Sequence, residues 1–584
     1  MMDDMADFSL IVQLSRRELI HVLESIPGQK DLVVESGLMR PLDKIASMSL
    51  LIEHGVPRVQ QLKVDGTISW DPNLQERVFV CRSTIANMRK VAEYIRADSS
   101  RTYHMVMVDR NRNICGIELE KYGVYGQIYF HELNLYVVPL ESDIFSLELP
   151  EPSIKSTNDS FPAMARALWQ LQCLYGIIPV SYDFGEQAKK LEHNLKQIFL
   201  EQGEPTASAD RPISHMIVFD RNLDLPSVLL TGLTYESMLN DCFQYSCGKI
   251  IFGEAVENKL KNKNNSGKSK AYSLSNSDVI FSAIRNKHMT SVFPFLSTKA
   301  KTLQSSYDKA SAMSKVDEVK SFVANELKSL KEQHKLLEVH ICACETVLEM
   351  NKGCTERLAV EHSIVKGLFE PSEVMNYIEN LVCRQHTPWQ VLLLMCLWSI
   401  SSNGIPFRHF STFRTLFLHA YGYEHLTTLF HLGSAGLLIE AASPSTMGFG
   451  QRTLRAVNTN FNHIAKSLEL IPRTGSNFKS EASYVFSDAY TPVIIRILEL
   501  LVDEGWESAS LRKAFKDVYT SCSNPTTPKP DNRIRKAILV CFPGGVTYSE
   551  IAALRKLAQD KNFRIIIITS HIISREHFLI SYTE

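Results

Sequence analysis

The 584-residue chain lacks most of the residue patterns that chemistry needs. There is no Cys-x-x-Cys, and its twelve cysteines are scattered; Cys342 and Cys344 form the one close pair, and Cys242 and Cys247 lie five apart. Structural zinc sites take closely paired thiolates, so the pattern points instead to reduced, mostly buried thiols. Charge of one sign is not in excess: 63 basic and 64 acidic side chains leave a net charge of −1. Such a balance provides no overall field to draw the chain onto nucleic acid or an anionic membrane. Long hydrophobic runs are missing too. Val391–Trp398 is the longest strongly apolar stretch, far short of the roughly 20 residues that cross a bilayer. The acidic opening Met1–Asp7 predicts no secretory signal, and the closing Ser581–Glu584 carries no prenylation box. The expectation is a soluble, cytoplasmic protein that meets membranes only through partners. GxSxG, HExxH and the kinase motifs are absent, and the histidines show no metal spacing. No enzyme activity, metal or cofactor is expected.

What is present reads as α/β at both ends with helices between. Strand signals at Asp31–Glu35, Arg77–Cys81, Tyr103–Val108 and Asn134–Pro139 alternate with helical stretches, among them Pro41–Leu51, 87–95 and 115–122. That spacing predicts a parallel sheet covered on both faces over residues 1–145. A second α/β block starts near 146, with helices over Ala163–Tyr175 and Gln187–Phe199 and a strand over Ser214–Asp220. From about 246 to 480 the strand signal fades and helices dominate. In 323–348 the residues Val323, Leu327, Leu330, His334, Leu337, Ile341, Cys344 and Leu348 repeat in a 4-3 pattern. They predict the internal seam of one arm of a helical hairpin over about 298–350, its turn near Ala310–Lys315. A helical subdomain follows over 355–440. Strands return at Arg535–Phe542 and Arg564–Thr569, around a helix over Thr547–Leu557. Two strands alone are unstable, so they are expected to complete the sheet begun before residue 220. Residues 146–245 and 481–584 then make one α/β domain with a large all-α insertion.

Two places offer chemistry. Asp220-Arg221-Asn222-Leu223-Asp224 follows a buried strand, where open α/β folds put active sites. A carboxylate-dependent hydrolase would use Asp220 and Asp224. The structural alternative has both carboxylates tying the Arg221 guanidinium and local backbone N–H groups into the loop. Phe542-Pro-Gly544-Gly545 before a helix resembles a phosphate loop but has no P-loop lysine. Thr547 and Glu550 have the spacing of a capping box, and Val546 and Ile551 that of a hydrophobic staple. Capping explains this segment without a ligand. A third class of function, nucleic-acid binding through the lysine-rich Lys259–Lys270, meets the objection that this run has no interleaved aromatics.

Four landmarks in order change the picture: Asp220-Arg221-x-x-Asp224; Tyr235-Glu236; Asp278-x-x-Phe281-x-x-Ile284-Arg285-x-x-His288; and Gly544-Gly-Val-Thr-Tyr-Ser-Glu550. Together they resemble the Sec-1/Munc-18-like (SM) family over nearly the whole chain. Pro27–Leu32, Pro41–Ala46 and Tyr421–Leu426 resemble its vacuolar protein sorting 33 branch, and Ile284–His288 and His334–Glu345 the B form of that branch more than the A form. Phe281 stands where many relatives have Trp, and Ser443–Gly450 departs from the family pattern.

The resemblance implies a three-domain arch: domain one over 1–145, domain two from 146–245 with 481–584, and helical domain three over 246–480. It implies a non-enzymatic scaffold that binds syntaxin-type and other SNARE helices in late endosomal and lysosomal traffic. It also implies a solenoid partner like vacuolar protein sorting 16, of the spermatogenesis-defective 39 type. For SNARE contact the outward hairpin face is expected to use Lys301, Gln304, Tyr307, Lys320 and Lys328. For the solenoid, Tyr421, Tyr423 and Leu426 are nominated; the competing reading is a core helix in which Leu426, Leu429 and Leu432 share one buried face.

Overall fold

The computed structural model describes residues 8–63, 68, 70–108, 113–149, 160–205, 212–260, 270–311, 327–441, 461–472, 481–505, 508–515, 519–523 and 537–583. The chain divides into two compact units: 1–150 with 162–177 and 194–212, and 151–161 with 178–193 and 213–584. The first unit is built on a five-stranded parallel sheet of β1 (Lys30–Glu35), β2 (Val59–Leu62), β3 (Glu76–Cys81), β4 (Thr102–Met107) and β5 (Ile128–Glu132), in the order β2-β1-β3-β4-β5. Alternate residues feed opposite cores. Leu32, Val34, Val78, Val80 and Val106 pack against Leu19, Leu23, Leu38 and Leu42. Val33, Phe79, Met105 and Met107 pack against Met88, Val91, Ile95 and Leu119. A sheet buried on both faces is what near-continuous apolar strands require. A short antiparallel pair, β6 (Val138–Glu141) and β7 (Ile144–Ser146), also belongs to this unit.

Two expectations fail here. Asn134–Pro139 does not close the sheet; β5 does, because Ile128–Glu132 continues the register from β4. Pro41–Leu51 is not one helix. Pro41 lies inside Ser36–Ile45, and a second helix, Met48–Glu53, starts where the Ser47 side chain accepts the Leu50 N–H. A serine that caps the next turn interrupts the helix before it.

The second unit carries β8 (Val180–Phe184), β9 (Ile213–Phe219), β10 (Gln244–Ser246), β11 (Lys249–Ile251), β12 (Ala271–Ser273), β13 (Tyr519–Ser523), β14 (Ala537–Phe542) and β15 (Ile565–Thr569). β8, β9, β14 and β15 lie parallel in that order, and β13 runs antiparallel beside β8. The two late strands therefore complete the sheet begun before residue 220, as expected, and the helical stretch is an insertion between β9 and β14. The antiparallel meander β10-β11-β12 and the edge strand β13 were not foreseen; the meander's short, half-exposed strands have too few apolar alternations to stand out.

In the insertion, Met289–Ser311 and Leu327–Met350 form the hairpin arms and share one apolar core with Tyr235, Leu239, Phe281 and Ile284. Of the turn expected near Ala310–Lys315, Ala310 and Ser311 still belong to the first arm, and 312–315 lie outside the described residues, as does Val323 of the seam. The buried face of Leu327–Met350 runs through Leu337, His340, Cys344 and Val347. The 4-3 stripe is right at Leu337 and Cys344, which are buried, and at Leu330 and Ile341, which are half-buried against the same core; it is wrong at His334 and Leu348, which are exposed. A buried polar partner replaced an apolar repeat, since His340 has two hydrogen bonds waiting for it. Beyond Gly353, helices Cys354–Lys366, Pro371–Cys383, Pro388–Ser401, Phe407–Tyr421 and His425–Ser434 form the helical subdomain around the fully buried stretch from Val391 to Ile400. Among the described residues no helix is long and apolar enough to cross a membrane.

Candidate functional site

The C-terminal ends of β8, β9, β14 and β15 bring Gly185, Asp220, Gly544, Gly545 and His571 together, the place where an α/β enzyme would keep its reacting groups. Here the space is filled. Asp220 accepts the backbone N–H of Asn222 and of Gln187, both at 3.0 Å, and burial raises its pKa. Asp224 accepts the N–H (3.1 Å) and hydroxyl (2.7 Å) of Ser227, the Tyr490 hydroxyl at 2.8 Å and the Val493 N–H at 2.8 Å. Every oxygen of both carboxylates is occupied by this chain's own donors.

Neither aspartate carboxylate is the direct partner of Arg221. The guanidinium donates to Glu550 Oε1 at 2.7 Å and to the Asp224 carbonyl oxygen at 3.2 Å. This corrects the expected loop, in which both aspartate side chains held the arginine; Asp224 contributes its backbone instead. The other Glu550 oxygen accepts the Thr547 N–H and hydroxyl, each at 3.0 Å, and Thr547 Oγ1 accepts the Glu550 N–H. One glutamate thus closes the capping box and neutralises a buried arginine. Val546 and Ile551 are fully buried at the staple positions.

The two glycines answer to packing. A Cβ on Gly544 would stand 2.7 Å from Arg221 Cβ; one on Gly545, whose φ is +87°, would stand 2.7 Å from Ile573 Cγ1 and 2.9 Å from His571 Nε2. The turn is occupied by protein where a phosphate would sit. His571 is buried and its pKa falls to about 4, through burial first and the Arg221 charge second. Among the described residues no group of three or more His, Cys, Asp or Glu side chains could hold a metal.

The remaining landmarks build a platform for the hairpin. Glu236 and Arg285 pair bidentately at 2.8 and 2.7 Å, both buried. Tyr245 donates to the same glutamate at 2.8 Å, Arg285 donates to Asn276 at 2.8 Å, and its guanidinium lies 4.7 Å from the Phe281 ring centre. Asp278 caps Val279–Ile284 through the N–H groups of Ile280 and Phe281, both at 2.9 Å. Its second oxygen meets His340 Nε2 at 3.1 Å, and His340 Nδ1 meets the Tyr235 hydroxyl at 2.9 Å. Asp278, His340 and Tyr235 therefore clamp three helices through one buried imidazole. Phe281, the departure from Trp, stacks on that ring at 5.9 Å and 14°. His288 bridges to Ser487 Oγ at 2.9 Å.

The nominated contact residues are placed as follows. Lys301, Gln304 and Lys328 are exposed on the two arms. The Tyr307 side chain and the whole of Lys320 lie outside the described residues. Tyr421 is half-buried, its hydroxyl donating to the His386 carbonyl at 2.7 Å and its ring 4.9 Å from Phe417. Tyr423 and Leu426 are 66% and 53% exposed, while Leu429 and Leu432 are buried. Leu426 therefore leaves the core stripe with which sequence spacing had grouped it. Phe430, 70% exposed and one turn beyond Leu426, was missed; the i, i+4 repeat of large apolar residues was the available signal. In the lysine run, Lys259 pairs with Glu349 at 2.8 Å and Lys270 lies 5.4 Å from the Tyr272 ring, whereas 261–269 are outside the described residues.

Comparison with known proteins gives one consistent answer. A family model described as the Sec1 family matches residues 30–581. Vacuolar protein sorting-associated protein 33B of Caenorhabditis elegans is 34% identical, covering 98% of this chain and 96% of that protein. The Homo sapiens protein of the same name is 32% identical over 100% and 98% of the two chains, and the 33A protein of Rattus norvegicus is 28% identical over 98% and 97%. Among solved structures, "SM Protein Vps45 in Complex with Qa SNARE Tlg2" aligns with a TM-score of 0.63 at 15% identity, covering 98% and 97%. The Unc18–syntaxin 1 complex from Monosiga brevicollis aligns at 0.61 with 16% identity, covering 99% of each chain.

Proposed function

The chain belongs to the Sec1 family, and on that premise we propose that it is a SNARE-binding scaffold of late endosomal and lysosomal traffic, held on membranes by a helical solenoid partner. It is not an enzyme, and its family role lies in vesicle trafficking. The observation that carries the SNARE reading is the clamped hairpin. Ordering a SNARE segment costs about 1–2 kcal/mol per residue in backbone entropy, so a template needs a long, rigid face to offset it. The arms Met289–Ser311 and Leu327–Met350 are the longest helices among the described residues; the Asp278–His340–Tyr235 chain ties Leu327–Met350 to the helices Tyr235–Cys242 and Val279–Ile284, which the buried Glu236–Arg285 pair joins to each other. The solved relatives named above are in complex with a Qa SNARE and with syntaxin 1, which supports a partner of that class.

Lys301, Gln304, Tyr307, Lys320 and Lys328 are the contact residues of this reading, within a helical domain spanning 246–480; domain one is 1–145, and domain two is 146–245 with 481–584. A Gln304→Glu, Tyr307→Ala double variant is expected to weaken capture of a syntaxin-type SNARE motif in a pull-down. Undiminished capture by a folded variant defeats the assignment. The solenoid, a vacuolar protein sorting 16-like protein of the spermatogenesis-defective 39 type, is assigned to the face of Tyr423 and Leu426, joined by Phe430. Exposed aromatic residues at helical spacing are what an interface anchor needs. Tyr421 supports that face from below through its bond to His386.

A further inference from the structure

We propose that Lys328, Lys331 and Lys335 form a docking stripe for the acidic face of a partner helix. This rests on the hairpin reading above and specifies the chemistry of what binds there. The three lysines fall at i, i+3 and i+7 on Leu327–Met350, and all three are exposed. Spacing of this kind keeps side chains on one helix face over about 10 Å of axis. The first ten residues of that helix, 327–336, include no buried side chain, whereas the following turns bury Leu337, His340, Cys344 and Val347. Leu330 and Leu336 are half-buried against the hairpin core, so these turns are covered on that side and open on the side that carries the three lysines.

Among the described residues, none of the three lysines makes an ion pair, although the same helix does pair where it has the opportunity: Glu349 takes Lys259 at 2.8 Å. Exposed Glu332 and Glu338 border the stripe. Those flanking carboxylates repel a continuous phosphate surface, and the chain as a whole is neutral to within one charge. They suit a ligand whose charge is discrete and alternates: a helix with acidic residues at matching three- and four-residue intervals and basic residues on either side. The stripe then sets the register of the partner and rejects helices with a basic face.

The test measures binding of a purified syntaxin-type SNARE motif to the full chain at low and high salt. A Lys328→Gln, Lys331→Gln, Lys335→Gln variant is expected to bind about tenfold more weakly at low salt, and the corresponding triple Glu variant weaker again, both differences shrinking at high salt. Unchanged melting of the Gln triple shows that the fold is intact, and it is the neutral variant that decides if the Glu triple melts early. Binding of either folded triple within twofold of the wild type overturns the proposal. So does lysine-dependent retention of phosphatidylserine vesicles or duplex DNA with SNARE binding unaltered. The Gln304→Glu, Tyr307→Ala variant separates the two readings. If it loses the SNARE motif while the lysine triples keep it, the stripe fails and the hairpin stands; if none of these variants loses it, the hairpin reading fails as well.

Discussion

Replacing Arg221 by methionine tests whether the carboxylates at the sheet edge are structural. The guanidinium lies 2.7 Å from Glu550, with the two side chains 4% and 0% exposed. Removing one member of such a pair strands the other charge in a site with little water, at a cost of about 3–5 kcal/mol. Glu550 retains its two bonds from Thr547, which favours the lower end, but Arg221 also gives up its bond to the Asp224 carbonyl and its approach to the Phe219 and Phe542 rings. The expected loss is about 4 kcal/mol. A cooperative unit of several hundred residues shifts by about 1–2 °C per kcal/mol, so Tm should fall by about 4–8 °C. Burial already raises the Glu550 pKa, with Arg221 opposing it, and removing the arginine is expected to raise it further. The double variant Arg221→Met, Glu550→Gln removes both charges and keeps an acceptor for the capping box. It should recover at least half of the loss, because a neutral pair in that space has no stranded ion. Calorimetry with urea titration measures the wild type, Arg221→Met, Glu550→Gln and the double variant. A single variant melting within about 1 °C of wild type, or a double variant losing the sum of both singles, refutes the reasoning.

Four further outcomes follow from the same geometry. Stability should fall as pH drops from about 6.5 towards 4, because His571 and His215 have folded pKa values pushed down to about 4, so the unfolded chain binds more protons across that window; at pH 5 the two together account for about 4 kcal/mol, checked by melts and by a shallower slope in His571→Asn. His340→Leu leaves the Tyr235 hydroxyl and one Asp278 oxygen without their partner and should cost about 2–4 kcal/mol, with faster hydrogen exchange along Leu327–Met350; unaltered exchange there shows the clamp is dispensable. Gly545→Ala should cost at least about 2 kcal/mol through φ and the contacts with Ile573 and His571, against about 1 kcal/mol for Gly28→Ala, where φ is +70° with nothing within 4 Å; equal effects in denaturant titration remove the steric argument. Tyr423→Asp and Phe430→Asp, at well-exposed positions, should abolish co-purification of the solenoid partner with Tm unchanged; a retained partner moves that interface elsewhere.

Local chemistry made much of this molecule legible from its residues alone. Apolar strands in β1, β3, β4, β9, β14 and β15 and the Thr547–Glu550 capping box all depend on groups a few positions apart, and each stands where spacing put it. The ordered landmarks fixed the family for the same reason: they are short and local. What spacing could not decide was which distant groups meet. Glu550 neutralises Arg221 across 329 positions, and His340 is drawn into the core by Asp278 and Tyr235, a position that the 4-3 repeat had left out of the buried face. Spacing left Leu426 open between a core stripe and an exposed anchor and did not single out Phe430; packing of the helices leaves both exposed. Burial and ion pairing are properties of the whole assembled chain: a buried charge must find its counter-charge wherever the fold brings one, and no window of sequence contains both.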